Sequence, residues 1–150
     1  LQTAPVDSYG VGTQLVTGSG APTCAMVYKL TERAGDDGTM VPVAKKSTNK
    51  ATVPGRKLAF RSYKYALADC EHVIAGGKEE LDAFTPEEGW QDLLVDFVDH
   101  GRIDDRWRGH DAIVDARTHH EEALKALPIT AQSLMRGDPV IPTQTLVLPQ

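Results

Sequence analysis

The chain has 150 residues, with 16 Lys and Arg against 21 Asp and Glu and a net charge of −5. Hydrophobic residues make up 41% and charged residues 25%, the composition of a soluble globular protein rather than a disordered one. The acidic balance argues against nucleic acid as partner, because phosphate neutralisation needs a basic surface, and no apolar run nears the roughly 18 residues that span a membrane.

The chain begins at Leu1 rather than Met, and residues 1–5 lack the basic-then-apolar order of a signal peptide. A cytoplasmic location is expected, with Cys24 and Cys70 as two buried thiols rather than a disulfide. Residues 1–20 read as a strand ending in a loop: 4–7 is a short extended lead-in, and Gly10, Gly12, Gly18 and Gly20 punctuate the stretch after it. Residues 11–16 suit either a single helical turn or a short strand. Residues 26–30 alternate apolar and polar side chains as a half-buried strand does. The turn signal at 35–38 and a second strand pattern at 40–45 complete a hairpin with it.

A polar loop, 47–55, closes at Pro54-Gly55. Residues 56–65 suit a third strand, although 57–61 would also suit a helix, and 68–75 form a fourth strand stopped by Gly76-Gly77. The acidic stretch 78–89 is expected to be a loop. In 90–98 the apolar Leu93, Leu94, Phe97 and Val98 fit a buried strand or a short helix. The clearest helix is 111–127. Ile113, Val114, Ala116, Ala123, Leu124 and Leu127 form its apolar side, His119, His120, Glu121, Glu122 and Lys125 face solvent, and Pro128 stops it. The tail, 140–150, is expected to run extended along the surface or a sheet edge.

Three groups of residues invite a chemical reading. Gly10-x-Gly12-Thr13 after a short strand suits an anion, since glycines let backbone N–H groups approach closely and a following helical turn aims its positive end there. The third glycine of a dinucleotide fingerprint is missing. Asp7 before this turn suits a ligand hydroxyl or a local Asx-turn. Between Lys45 and Lys64 there are seven Lys or Arg residues and no acid, which suits a small phosphorylated ligand, or else a solvated basic loop. His119 and His120 are adjacent, with no i, i+4 histidine pair, so no metal site is expected. His72 is expected to be a satisfied polar residue, and Trp90 and Trp107 are expected to pack.

The stretch Val6-Asp7-Ser8-Tyr9-Gly10-Val11-Gly12-Thr13, then Leu15-Val16-Thr17 and Met26-Val27-Tyr28-Lys29-Leu30, resembles the C-terminal half of the nicotinate phosphoribosyltransferases. So does the block Pro42-Val43-Ala44-Lys45-Lys46-Ser47-x-x-Lys50-x-Thr52-x-Pro54-Gly55-x-Lys57-x-x-x-Arg61. The resemblance is specific over residues 4–62 and diffuse beyond. It implies a type II phosphoribosyltransferase, α/β in the parent enzyme, with an incomplete α/β barrel whose phosphate site lies in the last βα loops. The piece itself is expected to be α+β, mainly antiparallel strands with a C-terminal helix. Residues 1–25 would be the last barrel strand and phosphate loop, and 26–150 a β-rich segment with the helix near 111–127 and the extended tail.

By the same resemblance, Gly10, Val11, Gly12 and Thr13 would hold the 5′-phosphate of phosphoribosyl pyrophosphate and of the mononucleotide product. Lys45, Ser47, Lys50 and Lys57 are candidates for contact with the departing pyrophosphate, and Asp7 for the ribose. The family uses Mg2+ and ATP, the latter through a phosphorylated histidine. No motif in this chain binds either, and none of its five histidines matches that motif. The expected partners are phosphoribosyl pyrophosphate and nicotinate or its mononucleotide, in a homodimeric parent. The nicotinate-binding arginines lie outside the matching blocks, so the chain is expected to be a C-terminal fragment, inactive alone. The alternatives are another type II phosphoribosyltransferase, acting on nicotinamide or quinolinate, and a non-catalytic β-rich interaction module.

Overall fold

A computed structural model describes residues 7–18, 27–45, 53–133 and 137–149. The chain divides into two units, Leu1–Tyr28 with Leu134–Gly137, and Lys29–Ser133 with Asp138–Gln150. In the first unit the described backbone is irregular up to a short helix, α1 (Thr13–Thr17). Of the two readings open for residues 11–16, the helical turn is the one formed. Cys24 and the lead-in at 4–6 lie outside the described residues.

The second unit opens with a hairpin of β1 (Glu32–Ala34) and β2 (Met40–Pro42), in register Glu32↔Pro42, Arg33↔Val41, Ala34↔Met40. The turn between them forms as expected, but its first strand does not. Residues 27–30 are exposed and irregular, and pairing starts at Glu32 because the turn bond from Gly35 N–H to the Thr39 carbonyl, 2.8 Å, sets the register. Met26 lies outside the described residues.

The main sheet has the order β5-β3-β4-β8. β3 (Lys57–Lys64) and β4 (Leu67–Ala75) are antiparallel from Lys57↔Ala75 to Lys64↔Leu67, with an irregularity between Ser62 and Tyr63. Their alternation buries Phe60, Ala68, Cys70 and Ile74, so the strand reading of 56–65 holds over its helical alternative. Cys70 is a free, buried thiol, as expected.

α2 (Lys78–Ala83) corrects the expectation of a loop at 78–89. Glu79 and Glu80 in its first turn suit the positive end of a helix, and Leu81 packs on Phe60 and Ile74 to make the core. Leu58, Phe84, Trp90 and Leu148 close around these three. β5 (Gln91–Asp92) adds two residues beside β3. The rest of 90–98 is neither buried strand nor helix, and Leu94, Val95, Phe97 and Val98 are exposed. A small hairpin comes next, β6 (Val98–Asp99) with β7 (Arg102–Ile103), then a 3-10 turn, Asp105–Trp107.

The long helix is α3 (Gly109–Lys125), two residues earlier than expected. It buries no residue: Ile113 is 55% and Val114 47% exposed. Its first turns face open grooves lined by Phe97 and Trp107 and by Leu93, Val95 and Arg106, while Ala123, Leu124 and Leu127 near its end are partly buried. The Ala126 carbonyl just beyond the helix accepts the Ala68 N–H at 2.7 Å, tying its end to β4. A 3-10 turn at Ile129–Gln132 leads away.

The tail forms β8 (Thr143–Val147), which pairs with β4 in parallel, Glu71↔Thr143 to Ala75↔Val147. The tail is thus an extended edge strand, as expected, and its direction adds a parallel pair to a largely antiparallel sheet. No helix among the described residues is long and apolar enough to cross a membrane.

Candidate phosphate and pyrophosphate site

The glycine turn is an open backbone segment at the head of α1. Asp7 through Gly12 are exposed, and the Leu15 N–H donates to the Gly12 carbonyl at 3.1 Å, starting the helix directly after the second glycine. Gly18, at φ 81°, ends it in the left-handed conformation that favours glycine. Neither Gly10 nor Gly12 has a positive φ, and a Cβ at either would meet nothing within 4 Å. Their small size is therefore not demanded by backbone strain or by a described neighbour. The first N–H groups of any helix lack an intrahelical acceptor. The first turn of α1 carries no acidic side chain.

Lys45 and Lys57 fall in the second unit, and Ser47 and Lys50 lie outside the described residues. Lys45 is exposed just past β2. Lys57, the first residue of β3, is engaged internally: its Nζ donates to the Val53 carbonyl at 2.8 Å and to the Gly55 carbonyl at 2.5 Å. Burial pushes its ammonium below the ordinary lysine range, and the Glu32 carboxylate partly offsets that. Gly55 is buried, at φ 79°, with the Pro42 ring 3.8 Å from where a Cβ would stand. Its N–H donates to the Thr31 carbonyl at 2.7 Å, and the same carbonyl accepts the Val43 N–H at 2.8 Å. The motif Pro54-Gly55-x-Lys57 is thus a turn, as its composition implies, and also a point of attachment, which its composition does not disclose.

His72 and Trp107 are engaged within the second unit. His72 Nε2 lies 3.0 Å from Ser62 Oγ, and its ring stacks on Trp90 at 3.8 Å and 12°, so His72 is satisfied and Trp90 packs, as expected. Ser62 Oγ also reaches the Cys70 carbonyl at 3.4 Å. Trp107 packs against Phe97 and under the Arg106 guanidinium, 5.1 Å from its ring. Among the described residues no three His, Cys, Asp or Glu side chains stand together to hold a metal.

No family model matches the chain. It is 37% identical over 147 residues to "Nicotinate phosphoribosyltransferase pncB1" of Mycobacterium tuberculosis, a match covering 97% of this chain and 30% of the relative. "Nicotinate phosphoribosyltransferase pncB2" of the same organism is 34% identical over 131 residues, 87% of this chain and 25% of that protein. A Bacillus subtilis nicotinate phosphoribosyltransferase is 45% identical over 62 residues, 40% of this chain and 12% of the relative. The chain spans less than a third of the length of the relatives it matches.

Proposed function

The chain belongs with the nicotinate phosphoribosyltransferases over nearly its whole length, and on that premise we propose that it is the portion of such an enzyme that holds the ribose 5′-phosphate and eases pyrophosphate departure. The observation that carries this reading is the 37% identity across 97% of the chain to a relative of that name. Gly10 and Gly12 are glycines with no conformational or steric need within the described residues, and an anion seated on their amides gives both a purpose.

In the parent reaction, the bond from the ribose anomeric carbon to pyrophosphate breaks as the nicotinate ring nitrogen bonds to that carbon. Negative charge gathers on the leaving oxygens. The exposed Lys45 ammonium is the described group we assign to offset that charge, with Ser47 and Lys50 beside it in sequence. The amides of Gly10, Val11, Gly12 and Thr13 hold the 5′-phosphate, and Asp7 a ribose hydroxyl. The parent is read as a cytoplasmic homodimer built on an incomplete α/β barrel. Mg2+ and ATP belong to the same family reading, but the described residues offer no set of donors for a metal, so they do not fit a protein-held ion.

Ribose 5-phosphate titrated into 15N-labelled chain should shift the amides of Gly10, Gly12 and Thr13, and Gly12→Val should abolish those shifts. Unmoved amides at millimolar ligand would sink the assignment of the turn. The isolated chain should release no pyrophosphate from phosphoribosyl pyrophosphate in the presence of nicotinate, and measured turnover would refute its role as part of a larger catalyst.

A further inference from the structure

Residues 44–54 carry three lysines and no acid, and both flanks of this stretch reach the same atom. The Thr31 carbonyl accepts the Val43 N–H at 2.8 Å and the Gly55 N–H at 2.7 Å. A carbonyl oxygen has two lone pairs, so one acceptor serves both. Lys45 stands two residues beyond that pin. The other flank is held by Lys57, whose Nζ grips the carbonyls of Val53 and Gly55. Lys57 is itself fixed on the main sheet, in register with Ala75. Two of its three N–H groups are committed to backbone, and the Glu32 carboxylate on β1 acts on its charge.

We infer that Lys57 is a positioning residue for Lys45: it anchors the 53–55 turn on the main sheet and, through the shared Thr31 carbonyl, fixes where the backbone before Lys45 leaves the hairpin. This rests on the proposed role of Lys45 at the pyrophosphate. It assigns Lys57 to the backbone rather than to the anion. A lysine at an exposed loop loses rotamer freedom when it binds, so an anchored base lowers the cost of bringing its ammonium to the charge.

The test uses the whole chain with inorganic pyrophosphate as probe, read by amide hydrogen exchange and by binding. In Lys57→Met, exchange at Val43 and Gly55 should accelerate at least about tenfold while Phe60 and Ile74 in the sheet keep their protection. The pyrophosphate dissociation constant should rise about tenfold, and K45M/K57M should bind no more weakly than K45M alone. Losses that add in the double variant would mean that Lys57 touches the anion itself, and would overturn the inference. Unchanged exchange at Val43 and Gly55 would do the same. Should K57M unfold the sheet, Gly55→Ala decides, because it strains the turn at φ 79° and leaves every ammonium in place. It should weaken pyrophosphate binding without adding to K45M, and unaltered binding overturns the inference. If the wild-type chain binds no pyrophosphate, the anion-site reading fails, while the exchange result still judges the pin.

Discussion

Asp37 shows how much one exposed carboxylate can settle. Its Oδ1 accepts the Thr39 N–H at 2.9 Å. Bonds to Thr39, through the backbone amide first and the side chain second, hold its carboxyl below the ordinary value of 3.8. A carboxylate with a depressed folded value contributes stability above its unfolded value and loses it as pH falls through the folded one. The Thr39 amide resonance should therefore titrate with a midpoint below 3.8 and become pH-independent in Asp37→Asn. A midpoint at or above that value would disprove the link. Lys57 has the opposite sign. Its depressed ammonium is a penalty on folding at every pH below its folded value, and the penalty fades as pH rises toward 10.5.

The turn between β3 and β4 carries strain at the scale of one element. Tyr65 and Ala66 sit at φ 52° and 63°, the left-handed pair that a two-residue hairpin of this twist demands and that Asn-Gly adopts most readily. Side chains held there cost of order 1 kcal/mol each. Replacing Tyr65-Ala66 with Asn-Gly should stabilise the chain by about 1–2 kcal/mol, read as a higher urea midpoint with an unchanged slope. A lower midpoint would place the turn's value in the Tyr65 ring contact with Lys64 instead. The two strands themselves were legible, the second closed by the Gly76-Gly77 stop, although 57–61 suited a helix as well until pairing with β4 decided it. α2 was not, since its single buried residue, Leu81, makes no period. The first hairpin was misplaced for a related reason: residues 26–30 alternate as well as β1 does, and only the turn bonds choose between them. At the site, the glycine turn and the basic block were legible as text through their resemblance to a family. The pin at Thr31 was hidden because a carbonyl acceptor carries no side-chain signature.

At the scale of the whole molecule, six hydrophobic residues are buried among those described: Phe60, Ala68, Cys70, Ile74, Ala75 and Leu81. Against them, Leu94, Val95, Phe97, Val98, Ile113 and Val114 stand exposed around α3 and the β6–β7 hairpin. A core of that size supports only marginal stability, and an exposed apolar surface of that kind is where a dye or another chain attaches. The native chain should therefore enhance 8-anilinonaphthalene-1-sulfonate fluorescence at neutral pH without denaturant, and silence in that assay would show the surface to be covered. The parallel pairing of β8 has a consequence in time. β4 meets its partner 72 residues later, Glu71 against Thr143. At a ribosomal pace of about 5–20 residues per second, that edge of the nascent sheet stays open for roughly 4–14 s. During synthesis, the backbone of β4 is therefore within reach of any neighbouring strand before its own arrives.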